Sequence, residues 1–183
     1  LQLSNEEGIE LGEGVGVRMN QISSVMAVSP GVIPLHAIRD SGFDPKAWCN
    51  LRFPNVAAGL AINDSKLDQE TLDYIIVAHN TGDISCSSGQ VDTLPSVASK
   101  VKAKLKIKNP NCVAYDIICG CPGWVEGIIQ AKSFIKSGMA EKCLVIGCDT
   151  LSRILDENDR DSMIYADGSG AIVLESDNSY DGG

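Results

Sequence analysis

Four stretches are apolar at nearly every position: "DYIIVAH" (73–79), "CVAYDIIC" (112–119), "KCLVIGCD" (142–149) and "GSGAIVLES" (168–176). Runs of this length without polar alternation predict strands covered on both faces. Between them the period changes. "NVAAGLAINDSKL" predicts a helix ending near Asn63. "LPSVASKVKAKLKI" (94–107) repeats Val97, Val101 and Leu105 at helical spacing, with Lys100, Lys102, Lys104 and Lys106 largely off that stripe. "GWVEGIIQAKSFIKSG" (123–138) predicts a third helix, with Gly138 as its C-terminal cap. Strands alternating with helices predict an α/β fold with a mostly parallel sheet between helices.

Residues 1–52 carry no such pattern. An acidic, Gly-rich opening is followed by a segment with three prolines, and the reading is short elements and loops with no strand assigned. The expected organisation is an irregular region over 1–52, an α/β unit over 53–176 and a tail over 177–183.

Composition narrows the function. The chain has 183 residues, 44% hydrophobic and 21% charged, with a formal charge of -9. This is a globular composition, suited to one domain. Its charge gives no general reason to bind nucleic acid or an anionic membrane, although a local basic patch remains able to take a phosphate or an acidic carrier. No run is long enough for a transmembrane helix, and the opening does not read as a signal peptide; the first residue is Leu1 rather than Met, which leaves open a start upstream. Seven cysteines, an odd number with several inside apolar runs, fit reduced thiols in a cytoplasmic setting. Their spacing matches no zinc motif, and no metal site is expected.

Cys121 stands apart. It falls where a strand ends and a helix begins, and in open α/β sheets ligands gather at the carboxyl ends of strands. Pro122 suits a first helical turn, where its missing N–H is not needed. Gly120 and Gly123 let the backbone bend on either side. The free amides and positive dipole end of the helix favour a nucleophilic sulfur there. Cys112, Cys119, Cys143 and Cys148 read as core filler.

"YDIICGCPGW", the "LPS" before the second helix and "IKSGMAEKCLVIGCDTLSRILDENDRDSMIYADGSGAIVLE" together resemble the N-terminal half of 3-oxoacyl-ACP synthase III, a condensing enzyme of the thiolase superfamily. The resemblance spans roughly residues 56–176. It implies a five-stranded, thiolase-like half-fold with Cys121 at the start of a helix buried in the middle of the structure. It implies a ketosynthase of fatty-acid biosynthesis: Cys121 takes an acyl group from acyl-CoA, with its own backbone N–H as an oxyanion donor, and malonyl-ACP is the second substrate. No cofactor is implied. Arg160 matches a position that helps hold the CoA adenine. Leu94 matches a dimer-interface position reaching into the partner's acyl pocket, and Leu151 a position lining that pocket. "DGSG" (167–170) is expected as a tight turn near the site.

Two departures qualify this. The family's second half supplies a His and an Asn for decarboxylation. Ending at Gly183, the chain is expected to be either a fragment or a subunit completed by a second thiolase-like half, and in either case a homodimer or a complex. His36 and His79 do not match that histidine, and His79 reads as a structural strand-end residue. The family's first strand and Trp–Arg CoA-binding stretch are also not recognisable in 1–52, and Trp48 is unassigned. The alternatives are an acyltransferase or condensing enzyme of secondary metabolism, or a non-catalytic scaffold half that completes a partner.

Overall fold

The computed structural model describes residues 16–28, 52–84, 90–156, 158–165 and 167–177. His36 and Trp48 lie outside them. Seven strands and three helices make up the described part: β1 (Gly16–Val28), α1 (Arg52–Ser65), β2 (Tyr74–His79), β3 (Asp83–Ile84), β4 (Val91–Asp92), α2 (Val97–Lys104), β5 (Val113–Ile118), α3 (Gly123–Lys136), β6 (Lys142–Thr150) and β7 (Asp167–Asp177). Five strands form one sheet in the order β1-β7-β6-β2-β5, and β3 and β4 form a small antiparallel ribbon. β2 pairs in parallel with both β5 and β6, while β7 is antiparallel to its neighbours β6 and β1. β7 is thus the one reversed strand, and the rest of the sheet shares one direction.

The apolar strands sort their residues onto the two faces by period 2. Ile75, Val77, Leu144, Ile146, Ala171 and Val173 pack with Ala57, Ala58 and Ala61 of α1 and Val97 and Val101 of α2. Ile76, Cys143, Val145, Ile172 and Leu174 face the other way, onto Ala131 and Ile135 of α3. Burying each branched side chain contributes about 1.5–3 kcal/mol, so the central strands dominate stability. α3 lies close to the sheet along a seam of small residues. A Cβ on Gly127 would stand 2.9 Å from Val145 Cγ1, nearer than two carbons pack. The end of α3 is as expected: Gly138 takes φ +74° just beyond the helix, and Met139 N–H donates back to the Phe134 carbonyl (2.9 Å).

Three expectations are corrected. β1 occupies part of the region read as strandless. Its pairing with β7 shifts between Asn20 and Ser23 and again between Val25 and Val28, and two irregularities in one strand erase the period-2 signal. "DGSG" is strand, the opening of β7, and not a turn. α3 is not central among the described residues: Val125 and Ile129 on its outer side are about half exposed.

Candidate functional site

The carboxyl ends of β2, β5 and β6 lie side by side, with Asn80 just beyond β2 and Asp149 and Thr150 closing β6. Beyond β5 come Cys119, Gly120 and Cys121, then α3. Gly120 has φ +65°, a backbone state open to glycine at little cost, and its carbonyl accepts from Gly123 N–H (3.0 Å). That turn reverses the chain into the helix and leaves Cys121 one residue before Pro122, the N-cap position. A cavity of about 310 Å³ opens here, lined among others by Ala78, Gly120, Cys121, Trp124, Asp149 and Asp167. Trp124 packs against Gly147 of β6, where a Cβ would stand 3.1 Å from Trp124 Cδ1, so the missing side chain makes room for the indole.

Two carboxylates line this cavity, and both are held by the protein. Asp149 accepts from Asn80 twice, from its backbone N–H at Oδ1 (2.9 Å) and from its Nδ2 at Oδ2 (2.6 Å). Burial pushes the Asp149 carboxyl above its usual range, and the Asn80 donors offset this only in part. Asp167 accepts from Ser152 N–H (2.9 Å) and Oγ (2.6 Å), tying the turn after β6 to the start of β7.

A third carboxylate works behind the site. Asp116 of β5 accepts from Val97 N–H (2.7 Å) and Ala98 N–H (2.8 Å), capping α2 together with Ser96. His79, buried at the end of β2, accepts Gly82 N–H at Nδ1 (2.8 Å), which leaves the ring proton on Nε2, 3.0 Å from Asp116 Oδ2. Burial alone would raise the Asp116 carboxyl. The His79 side chain and the Ala98 and Val97 amides more than offset that and hold it below its usual range. His79 is therefore a structural residue and does not line the cavity.

The cysteines divide differently from the sequence reading. Cys112 and Cys143 are buried and Cys148 is partly so, but Cys119 is exposed, as is Cys121. Cys119 follows the last residue of an edge strand, where its neighbour Ile118 is itself 67% exposed, so an apolar run was no sign of burial there. Burial raises all three inner thiols, Cys143 to about 12.

The other proposed site residues do not line the cavity. Arg160 opens a 3-10 turn with its side chain 91% exposed and its Nε 3.8 Å from Asp161. Leu94 is 84% exposed, two residues before the N-cap of α2. Leu151 begins the 3-10 turn after β6 and is half-buried. Asn80, Asp149 and Trp124 went unnamed from sequence. Their available signal was position: each sits at or just past the C-terminal end of a strand, or in the first turn of the helix that follows.

Residues 115–183 match the family model described as 3-oxoacyl-[acyl-carrier-protein (ACP)] synthase III. A beta-ketoacyl-[acyl-carrier-protein] synthase III from Neisseria gonorrhoeae (strain NCCP11945) is 43% identical over 119 residues, covering 64% of this chain and 34% of that protein. The crystal structure of 3-oxoacyl-[acyl-carrier-protein] synthase III from Aquifex aeolicus VF5 superposes with a TM-score of 0.61 at 34% identity, over 71% of this chain and 39% of the other. The priming beta-ketosynthase of the R1128 polyketide pathway reaches a TM-score of 0.70 over 93% of this chain and 53% of its own, and at 18% identity it supports the fold alone. The chain spans about a third of the length of the curated relatives it matches.

Proposed function

Because this chain belongs to the 3-oxoacyl-[acyl-carrier-protein] synthase III family, we propose that Cys121 is the acyl-accepting nucleophile of a thiolase-like ketosynthase in fatty-acid biosynthesis. The observation that carries this reading is the place of Cys121: on the strand-to-helix turn, exposed, and lining the cavity at the carboxyl ends of the sheet. Its sulfur attacks the thioester carbon of acyl-CoA. Coenzyme A leaves, taking the proton the cysteine gives up, and the acyl group stays on Cys121. Malonyl-ACP then loses carbon dioxide, its enolate carbon attacks the acyl carbonyl, and the carbon–sulfur bond to Cys121 breaks. The Cys121 backbone N–H, at the turn into α3, is the proposed oxyanion donor within this chain.

The reading needs no resident cofactor and takes acyl-CoA and acyl carrier protein as substrates. Arg160, exposed beyond β6, is proposed to meet the CoA adenine, and Leu151, in the turn just outside the cavity, to border the acyl pocket. Leu94 is proposed to reach a partner, as a homodimer or as a complex with a second thiolase-like half. Its exposure supports this, as do the exposed Ile118 on edge strand β5 and Val125 and Ile129 on α3. A large apolar side chain standing in water is better used against another surface. A cytoplasmic setting fits the five free thiols among the described residues; no described helix is long and apolar enough to cross a membrane.

The test is stoichiometric release of coenzyme A from acetyl-CoA. The chain should release one equivalent per polypeptide and Cys121→Ser none. No release from the unmodified chain, or equal release from Cys121→Ser, contradicts the reading.

A further inference from the structure

Asn80 and Asp149 make an arrangement that the core does not require. Asn80 immediately follows β2, the strand between β5 and β6, and Asp149 sits next to the last residue of β6. Both carboxylate oxygens of Asp149 are taken by this one residue, through its backbone N–H and its side-chain amide. The bond from Nδ2 fixes which way the amide faces, because the reverse orientation would set oxygen against oxygen. With Nδ2 on Asp149, Oδ1 is left on the side of Gly120, close enough that a Cβ on that glycine would be 3.4 Å from it. Gly120 is the left-handed residue whose carbonyl closes the turn into α3, and Cys121 follows it. Gly120, Cys121 and Asp149 line the same cavity. Hydrogen bonds thus tie the β6 end to the β2 end, and the Asn80 amide oxygen stands beside the turn that carries the sulfur.

We propose that Asn80 and Asp149 act as one positioning unit for the Gly120–Cys121 turn, with Asp149 orienting the Asn80 amide and the amide oxygen bracing Gly120, so that Cys121 is presented to the cavity. Neither is a catalytic residue, since neither is placed on the reacting atoms. The inference deepens the reading of Cys121 as the acyl acceptor and rests on it for its consequence, though the bracing itself is testable without any acyl substrate. Such a brace has a chemical reason. Nucleophilic attack tolerates little misplacement, and a shift of about 1 Å costs roughly a hundredfold in rate.

The internal control is Cys119, also exposed, two residues away on the other side of Gly120. The measured quantity is the iodoacetamide alkylation rate of Cys121 divided by that of Cys119, read peptide by peptide. Alongside it runs the rate of Cys121 acylation by acetyl-CoA. Asn80→Ala, which keeps the backbone bond to Asp149, and Asp149→Asn should each lower the Cys121 to Cys119 ratio and slow acylation about 10–100-fold. Asn80→Ala combined with Asp149→Asn should be no worse than the more damaging single change, because residues acting as one unit are not additive. The exchange of Asn80→Asp with Asp149→Asn keeps an amide facing a carboxylate and should recover most of the loss. An unchanged ratio in the folded single variants, additive losses, or an exchange no better than the singles would overturn the proposal. If the unmodified chain takes no acyl group, the acyl-acceptor reading fails, while the alkylation ratio still decides the positioning unit. If Asp149→Asn does not fold, Asn80→Ala alone decides through the same ratio.

Discussion

His79 Nε2, at the end of β2, and Asp116 Oδ2, in the neighbouring parallel strand β5, stand 3.0 Å apart, and the same carboxylate caps α2 through Val97 and Ala98. One side chain therefore joins β2, β5 and α2 behind the cavity. It also engages the only histidine among the described residues, which does not line the cavity.

Asp116→Asn should cost about 1.5–3 kcal/mol, since a carboxylate accepting two amide N–H groups becomes an amide able to accept with one atom. The pH dependence gives a second check. Asp116 has a lowered pKa in the fold, so its contribution is present above the ordinary value near 3.8 and is lost as pH falls through the lower folded value. Urea midpoints of the unmodified chain should fall over that acid window, and those of Asp116→Asn should fall less steeply. Parallel pH profiles would contradict the assignment.

Asp149 has the opposite sign. Its raised pKa means that the folded state binds the proton more tightly, so its contribution is fully present below about 3.8 and is lost as pH rises through the raised value. In Asp149→Asn the relief of a buried carboxylate offsets the loss of one acceptor for Asn80, so its thermal midpoint at pH 7 should fall less than that of Asp116→Asn, even where it slows Cys121. A loss at pH 7 as large as that of Asp116→Asn would show that the pair serves the fold rather than the site.

Thiol reactivity should split into two groups. With iodoacetamide at pH 7.5, Cys119 and Cys121 should react with the native chain, while Cys112 and Cys143 should wait on unfolding, being shielded and held protonated by burial, and Cys148, partly buried at the cavity wall with a raised pKa, should react more slowly than Cys121. Above pH 9, stability should decline as Cys143 approaches its folded value of about 12, because the unfolded thiol gives up its proton first. Native labelling of Cys143 or Cys148 at neutral pH as fast as Cys121 would contradict the packing described.

Much of this was legible in the sequence, and the reasons are specific. β2, β6 and β7 are buried on both faces, so their runs needed no partner to be recognised. The step from β5 through Cys121 and Pro122 into α3 is written locally. β1 was not legible, since two register shifts break its alternation. Pairings across the chain were equally hidden: Asn80 meets Asp149 69 positions away, and Asp116 meets Val97 and Ala98 19 and 18 positions away. A polar residue at a strand end signals that something is held there, but not what holds it. Cys119 shows the converse, an apolar run ending on an exposed edge.

The 183-residue polypeptide should load an acyl group without making 3-oxoacyl product from malonyl-ACP. Among the described residues the one histidine is engaged with Asp116, and the resemblance assigns enolate stabilisation to a His and an Asn of the second half. Each such donor is worth roughly 2.7–4 kcal/mol of barrier, or about 100–1,000-fold. Robust product from this polypeptide alone would overturn that division of labour.

The central claim is that Cys121 is the residue acylated, and the location of the acyl group tests it most directly. After exposure of the native chain to acetyl-CoA at neutral pH, peptide-level mass spectrometry should find one acetyl thioester, on the sulfur of Cys121, released by hydroxylamine and absent from Cys119. An acetyl group on Cys119 in place of Cys121, or spread over lysines with none on Cys121, would contradict the account.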